Sequence, residues 1–180
     1  MRYFNRSLTK DFLKLELTKY EIMSKEHQYR TSLAWTGNKG SGTMDYRSYE
    51  RSYVISVGGK ADILGSSDSV FMGDKTRHNP EDLLVSSLSS CHMLWYLHLC
   101  SENGIIVLDY RDQAVGKMAE VENGSGHFTE VKLFPIVTIT DESQIELADS
   151  LHDQANKMCF ISNSCNFPVL HEAQFIIERS

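Results

Sequence analysis

The stretch that decides the fold reads NPEDLLVSSLSSCH and occupies residues 79–92. Asn79 is a good helix N-cap, and Pro80 fits the first helical position, where its missing N–H is not needed. Glu81 and Asp82 follow at positions where the helix dipole favours acidic side chains. Together these residues predict that a helix begins directly after residue 79.

The predicted helix is apolar or small nearly all round from Leu83 to Cys100, and it ends in an Asn-Gly pair at residues 103–104. This pattern is typical of a helix buried in a core rather than one lying on a surface. The longest apolar run within it, at 93–97, is flanked by histidines and is far shorter than the ~20 apolar residues that span a membrane. The sequence therefore predicts no membrane association.

Working outward from this helix, the residue patterns predict strands on both sides. The predicted elements before it are strands at 29–35, about 43–50 and 53–57, then a loop at 65–78. The predicted elements after it are strands at 105–121, 127–140 and 169–178, and a helix at 144–160 with Leu147, Leu151, Ala155 and Met158 on one stripe. Pro135 marks a bulge or an edge. The order β-β-β-α-β-β-α-β predicts an α+β fold.

The first residues read differently from the rest of the chain. Residues 1–27 mix Lys, Glu, Leu and Tyr, and we interpret them as an N-terminal extension that a compact domain at 28–180 does not need. Asp11, Glu16 and Glu21 interrupt any apolar segment, which argues against a signal peptide or a transit peptide. A cytoplasmic location is the resulting expectation.

The composition is that of an ordinary globular protein, with 41% hydrophobic and 23% charged residues among 180. Lys and Arg number 18 and Asp and Glu 24, so the formal charge is 18 − 24 = −6. Nucleic-acid binders need a basic face, so this balance argues against that class. The Tyr/Arg repeat at 46–53 could stack on single-stranded nucleic acid, but the charge favours a solvated hairpin face.

Four cysteines, Cys91, Cys100, Cys159 and Cys165, are too few and too clustered for a secreted disulfide framework. Cys91 and Cys100 lie about 13 Å apart along one helix, so they cannot pair with each other. A Cys91–Cys159 pair is geometrically open if the two helices pack together. The alternative is that these cysteines are inert core residues, and we interpret Cys100 and Cys165 as structural.

The helix start and its cysteine resemble the first-cysteine helix of the OsmC/Ohr family of peroxidases. In that family Asn-Pro-Glu opens a helix, and a run of small residues carries the peroxidatic cysteine ten positions after the Glu, as Glu81 and Cys91 are spaced here. The segment 159–162, Cys-Phe-Ile-Ser, resembles the second family cysteine at the end of the other long helix. Trp35 and the Gly-rich turn after it resemble the first hairpin. The resemblance covers about residues 29–180.

The resemblance implies an intertwined homodimer, with two central helices packed against antiparallel sheets and active sites where the subunits meet. It implies reduction of an organic hydroperoxide without a cofactor or metal. Cys91 would attack and become a sulfenic acid, Cys159 would condense with it to a disulfide, and an external thiol or dithiol would reduce the pair. Cys165, six residues beyond Cys159, could act as a rival resolving thiol.

The family also places an Arg beside the reactive thiolate and ties it to the Glu that starts the helix. By resemblance, Glu81 would orient such an activating cation, and it would reach a Cys91 site through a partner subunit or through a bridging cation. Lys39 occupies the similar place in the first hairpin turn, and Arg77 lies shortly before the helix start. Arg47 and Arg51 are further candidates. Solvated surface charge is the alternative interpretation for all four.

Two other interpretations remain open at this point. The first is a zinc site formed by His92, which adjoins Cys91, by His152, which precedes Cys159 by seven residues, and by Cys165. Against it, His152 and Cys159 lie two turns apart on one helix, too far to share one ion, and the sequence has no Cys-x-x-Cys. The second is a non-enzymatic relative, which would bind a small apolar ligand in the dimer crevice and merely retain its cysteines. A reactive Cys91 discriminates the enzyme from the binding protein.

Overall fold

The computed structural model describes residues 25–179 of the chain. Within that range the chain forms nine strands and two long helices. In chain order they are β1 (Ser32–Trp35), β2 (Tyr53–Ser56), β3 (Ile63–Gly65), α1 (Pro80–Glu102), β4 (Val107–Asp112), β5 (Val115–Glu120), β6 (Gly126–Leu133), β7 (Pro135–Ile139), α2 (Ile145–Met158), β8 (Val169–His171) and β9 (Gln174–Ile177). Short 3₁₀ turns lie at Ser69–Phe71, Glu142–Gln144 and Ser162–Ser164.

The strands form three sheets of three strands each, in the orders β1-β2-β3, β4-β7-β9 and β5-β6-β8. The first sheet is antiparallel throughout. The other two are mixed, because β8 pairs with β6 and β9 pairs with β7 in parallel. Those parallel pairs follow from the crossover through α2, which returns the chain in the same direction. The predicted α+β class is confirmed, with mixed rather than wholly antiparallel sheets.

The start of α1 agrees with the prediction from sequence. The Asn79 side chain accepts a hydrogen bond from the Asp82 N–H at 2.6 Å, and the Asp82 carboxylate accepts one from the Asn79 N–H at 3.3 Å. This reciprocal capping box satisfies two N–H groups that the helix itself cannot pair. At the other end Asn103 is the C-cap, and Gly104 takes the left-handed conformation with φ of +70°.

One face of α1 is buried within the chain, and it is made by residues four apart: Leu88, His92, Tyr96 and Cys100. The expectation of burial all round is therefore wrong for a single chain, since Leu94 on the opposite face is 63% exposed. The sheets and α2 cover only one side of the helix. By length and composition alone α1 could cross a membrane, but the core helix of a soluble protein passes the same test.

Helix α2 packs against α1 along a stripe of four buried residues, Ala148, Leu151, His152 and Ala155. The predicted stripe shared Leu151 and Ala155 with this set, whereas Leu147 and Met158 are substantially exposed. The main core lies between the two helices and the β4-β7-β9 sheet, and it comprises Tyr96, Cys100, Ile105, Val137, Ile139, Ala148, Leu151 and Ala155. A second cluster joins α1 to the β5-β6-β8 sheet through Leu88, Val131, Leu133 and Val169.

The predicted strand at 43–50 is wrong, because this segment forms consecutive turns. The Asp45 carboxylate accepts a hydrogen bond from the Arg47 N–H at 2.7 Å, and the Ser48 hydroxyl donates to the Asp45 carbonyl at 2.8 Å. Such local side-chain bonds compete with a strand ladder for the backbone. The third strand of this sheet is β3 instead. It lies where the predicted strand at 53–57 had ended and the predicted loop at 65–78 begins.

The long strands predicted after α1 are each divided in two. Segment 105–121 contains β4 and β5, 127–140 contains β6 and β7, and 169–178 contains β8 and β9. The Asp112 carboxylate explains two of the breaks, since it accepts hydrogen bonds from the Phe134 N–H at 2.7 Å and from the Ser89 hydroxyl. It thereby holds both chain corners against α1. Pro135 begins β7 directly after the second corner.

The prediction for the N-terminus concerns mostly residues 1–24, which lie outside the described part of the chain. The division into an extension at 1–27 and a domain at 28–180 stays a prediction. Of the strand predicted at 29–35, the structure contains β1 in its second half, paired with β2 in the register Trp35 opposite Tyr53.

Candidate active site

The structure brings two of the predicted site residues together. Cys91 lies in the middle of α1 and is half-buried, and Cys159 is the C-cap of α2 and is 1% exposed. The pKa of Cys159 is raised to about 11, first by burial and then by a hydrogen bond with Cys91 and by repulsion from its charge. The packing of α1 on α2 therefore makes the two thiols direct neighbours.

The turn after α2 fixes the position of Cys159. The Ser162 N–H donates a hydrogen bond to the Cys159 Sγ at 3.4 Å, and the Asn163 N–H donates to the Cys159 carbonyl at 3.0 Å. The Ser162 hydroxyl bonds to the Asn156 side chain at 3.1 Å, and Asn156 in turn donates to the Val169 carbonyl at 3.0 Å. The turn is thus tied to α2 and to β8, which orients the thiol toward α1.

Two aromatic rings border the thiol pair. Trp95 lies one helical turn after Cys91, so both side chains project from the same side of α1. Phe160 directly follows Cys159, is 67% exposed and contacts Trp95 edge-on, with ring centroids 5.8 Å apart. The surroundings of the thiols are consequently apolar on the solvent side.

Glu81 lies in the first turn of α1, about 15 Å along the axis from Cys91. Its charge contributes, after burial, to the raised pKa of Tyr53, so it faces the first sheet. It borders a cavity of about 510 Å³ that His78 and Phe128 also line. Among residues 25–179, no hydrogen bond or ion pair within the chain connects Glu81 to the thiol pair.

The candidate cations are engaged elsewhere in the chain. Lys39 forms an ion pair with Glu50 at 2.9 Å, and Arg77 forms one with Asp74 at 3.5 Å. In the described residues, neither cation has a hydrogen bond or ion pair with the thiol pair. The Arg77 Nη1 atom is buried there without a hydrogen-bond partner. A single chain thus leaves the activating cation unassigned.

Arg51 is the most firmly held of these cations. Its guanidinium donates to the carbonyls of Tyr49 and Tyr46, at 2.7 Å and 2.5 Å, and lies 4.5 Å and 4.1 Å from the centroids of their rings. Arg51, Arg47 and Lys39 line one cavity of about 330 Å³. The Tyr/Arg repeat, interpreted from sequence as a solvated hairpin face, is instead a local cation–π cluster in a turn.

Two histidines that the sequence offered only as zinc-ligand candidates contact each other directly. His92 and His152 are buried, and His92 Nε2 lies 2.9 Å from His152 Nδ1. Each histidine lies three or four residues from the apolar residues on the buried face of its helix, and this spacing could have predicted that both rings are buried. Burial lowers the pKa of His92 to about 4 and of His152 to about 3. Residues 25–179 contain no group of three or more His, Cys, Asp or Glu arranged to hold a metal ion.

Comparison with known families gives one match. The family described as OsmC-like protein matches residues 73–172, a segment that includes both neighbouring thiols. The sequence matches none of the curated proteins with which it was compared.

Solved structures give further matches. An OsmC-like protein of unknown function from Vibrio cholerae is 27% identical, with a TM-score of 0.75, and the match covers 82% of this chain and 99% of that one. An OsmC-like protein from Mycoplasma pneumoniae is 13% identical, with a TM-score of 0.63 and coverage of 84% and 99%. An organic hydroperoxide resistance protein from Elizabethkingia anophelis is 18% identical, with a TM-score of 0.60 and coverage of 86% and 100%. The last two likenesses show the fold alone.

Proposed function

Because this chain belongs to the OsmC-like protein family, which matches 100 of its 180 residues, we propose that it is a thiol-dependent peroxidase of organic hydroperoxides. The observation that carries the proposal is that Cys91 lies close enough to Cys159, where α1 packs on α2, to raise the pKa of the Cys159 thiol after burial. Two neighbouring thiols, one half-buried and one buried, are what a two-cysteine peroxidase cycle requires. The fold is also that of a protein named as an organic hydroperoxide resistance protein.

The first step of the proposed cycle takes place at Cys91. Its thiolate attacks one peroxide oxygen, so that an S–O bond forms while the O–O bond breaks. The alkoxide leaves and takes up a proton to become an alcohol. Cys91 is oxidised by two electrons to a sulfenic acid, and the hydroperoxide is reduced by the same two electrons.

In the second step Cys159 attacks the Cys91 sulfur. An S–S bond forms, the S–O bond breaks, and hydroxide leaves as water after taking the proton that the Cys159 thiol gives up. In the reduced pair the pKa of Cys159 is raised to about 11, first by burial and then by Cys91, so Cys159 enters the cycle as a thiol with a proton to give. An external thiol or dithiol then supplies two electrons and two protons to regenerate both thiols.

The order of the two cysteines follows from their exposure. Cys91 is half-buried, whereas Cys159 is 1% exposed, so a peroxide in solution reaches Cys91 first. Cys165 is less suited to resolve the sulfenic acid, since its thiol donates a hydrogen bond to the Ile161 carbonyl at 3.3 Å, whereas Cys159 interacts with Cys91. We therefore keep Cys159 as the resolving residue.

The apolar border of the thiols supports an organic substrate. Trp95, one helical turn after Cys91, and Phe160, next to Cys159, place two aromatic rings in edge-on contact beside the thiol pair. A bulky hydroperoxide buries apolar surface against these rings, and hydrogen peroxide has none to bury. The proposal therefore includes faster oxidation by cumene hydroperoxide than by hydrogen peroxide.

The proposal also includes a cytoplasmic homodimer in which the partner completes the site. The exposed apolar face of α1 around Leu94 needs a cover, and so does β1, where Leu33 and Trp35 are exposed. Glu81 lies too far along α1 to act on Cys91 of its own chain. In the dimer, Glu81 would orient a cation beside the thiolate, with Lys39 and Arg77 as candidates.

The proposal is tested by treating the reduced, purified protein with one equivalent of cumene hydroperoxide, followed by alkylation and peptide mass spectrometry. We expect a Cys91–Cys159 disulfide within seconds. Cys159→Ser should stop at a sulfenic acid on Cys91 that dimedone traps, and Cys91→Ser should consume no peroxide. Cys165→Ser is the matched control and should behave as the wild type.

Unmodified thiols after minutes in folded protein would contradict the proposal. They would favour the alternative, a non-enzymatic protein that binds a small apolar ligand beside Trp95 and Phe160. A disulfide between Cys91 and Cys165 would keep the peroxidase activity but reassign the resolving thiol.

A further inference from the structure

Two buried histidines link the helices that carry the two thiols. His92 directly follows Cys91 on α1, and His152 precedes Cys159 by seven residues, about two turns of α2. His92 Nε2 and His152 Nδ1 lie 2.9 Å apart. Within the described range of 25–179, this is the only side-chain hydrogen bond that joins Pro80–Glu102 to Ile145–Met158. The proposed mechanism does not use either imidazole.

The surroundings of the two rings make this hydrogen bond costly to break. Both rings are fully buried, their planes differ by 1°, and Tyr96 stacks on His152 with ring centroids 3.8 Å apart. Between two neutral imidazoles, one ring must donate and the other must accept. Separating the rings would leave both polar atoms unpaired in the core, which is costly because no water replaces the bond. The relative position of the two helices is therefore defined at this point.

Disulfide formation is sensitive to that position. The two Cβ atoms of a disulfide lie about 3.5–4.5 Å apart, so a small shift of one helix along the other separates the sulfurs. We propose that the His92–His152 hydrogen bond fixes the spacing of α1 and α2 at which Cys91 and Cys159 can form a disulfide. Both histidines are then positioning residues. A role of this hydrogen bond in catalysis rests on the proposed function. Its effect on formation of the Cys91–Cys159 disulfide requires only the two thiols.

Variants at His92 and His152 can separate the effect of the hydrogen bond on the disulfide from the effect of side-chain packing. The amide of Gln reaches about as far as imidazole Nε2, so His92→Gln keeps a partner for His152. His92→Met has nearly the same length and shape as Gln but forms no strong hydrogen bond. The double variant H92L/H152L removes both polar groups at once, so no unpaired group remains in the core. Thermal unfolding of each variant reports any purely structural loss.

The measurement is the equilibrium between the full-length protein and mixtures of reduced and oxidised dithiothreitol. In this exchange the cyclic disulfide of dithiothreitol breaks, the Cys91–Cys159 disulfide forms, and dithiothreitol carries away both thiol protons. Acid quenching, alkylation and peptide mass spectrometry then give the fraction of disulfide. We expect the equilibrium constant to fall about fivefold or more in H92L/H152L, since a hydrogen bond contributes about 1 kcal/mol.

His92→Gln should retain an equilibrium constant within about twofold of the wild type, and His92→Met should fall with the double variant. Equal constants for His92→Gln and His92→Met would overturn the proposal, and that comparison stands even if H92L/H152L does not fold. A wild-type protein that forms no Cys91–Cys159 disulfide with dithiothreitol would overturn it as well. A normal disulfide equilibrium in a protein inert to cumene hydroperoxide would instead overturn only the peroxidase proposal.

Discussion

At the scale of single residues, the surroundings of each thiol set its role. Cys159 is enclosed, with its pKa raised to about 11, whereas Cys91 is half-buried beside Trp95. A thiolate at Cys91 requires a nearby positive charge, because an apolar site by itself disfavours the ion. The described chain pairs Lys39 with Glu50 and Arg77 with Asp74. The activating charge is therefore expected from across a subunit contact.

A prediction at this scale concerns Glu81. Glu81→Gln should lower the second-order rate of Cys91 oxidation by cumene hydroperoxide about tenfold, the equivalent of ~1.4 kcal/mol, because the cation would lose its orienting carboxylate. Stopped-flow measurement of tryptophan fluorescence, which comes from Trp35 and Trp95, can follow the reaction. Glu102→Gln is the matched control, since it neutralises an exposed carboxylate on the same helix. Equal losses in both variants would point to net charge rather than to orientation.

At the scale of elements, α1 depends on its own first turn. Asn79 caps the helix and its side-chain amide also donates to Asp68 at 3.3 Å. Asn79→Ala should lower the free energy of unfolding by about 1 kcal/mol, because the Asp82 N–H loses its acceptor. Urea denaturation followed by circular dichroism measures the change. Ser90→Ala, on the exposed face of α1, should change it by less than about 0.5 kcal/mol, and a similar loss there would discount the cap.

The contact between α1 and α2 makes stability depend on pH. The pKa values of His92 and His152 fall from 6.5 to about 4 and about 3 in the folded protein, chiefly through burial and also through repulsion by His171. Between those values the unfolded chain binds more protons than the folded one. The free energy of unfolding is therefore complete above pH 6.5 and falls as the pH drops toward 4.

From pH 7 to pH 5 we expect a loss of about 2 kcal/mol for each of these two histidines. Urea denaturation at the two pH values measures the loss, and H92L/H152L should show a much shallower fall. His171, which faces both rings and lies 3.4 Å from the Asp153 carboxylate, is present in both proteins. An equally steep fall in H92L/H152L would assign the pH dependence to other groups.

At the scale of the whole molecule, apolar surface remains uncovered. Leu94 on α1 is 63% exposed and Leu33 on β1 is 67% exposed. Among residues 25–179, the strands of the β1-β2-β3 sheet pair with no strand of the other two sheets. Apolar surface of this kind is typical of an interaction site, and the proposed homodimer would bury it.

Leu94→Glu should shift the protein from dimer to monomer, because a carboxylate on α1 would lose its hydration at the interface. Light scattering coupled to size-exclusion chromatography gives the mass directly. The monomer should also oxidise Cys91 more slowly if the partner supplies the activating charge. Leu94→Met keeps the side chain apolar and should remain dimeric. A wild-type protein of about 20 kDa would contradict this arrangement.

Sequence alone determined what short-range chemistry controls. The start of α1 is set by side chains three residues apart, so Asn79, Pro80 and Asp82 were sufficient to predict it. The order of elements was sufficient to indicate the α+β fold, because it depends on local hydrogen bonds and on the alternation of apolar residues, both of which are visible in the sequence. The OsmC-like family was indicated by resemblance, through the Asn-Pro-Glu helix start, the ten-residue spacing from Glu81 to Cys91 and the segment after Cys159.

The tertiary structure decided what long-range packing controls. It divided the predicted strands at corners held by Asp112, turned 43–50 into a cation–π cluster around Arg51, and left one face of α1 exposed. It also placed His92 against His152, sixty residues away, and Cys91 against Cys159. Such contacts depend on how two helices meet across a shared core, and no local pattern of residues specifies that meeting.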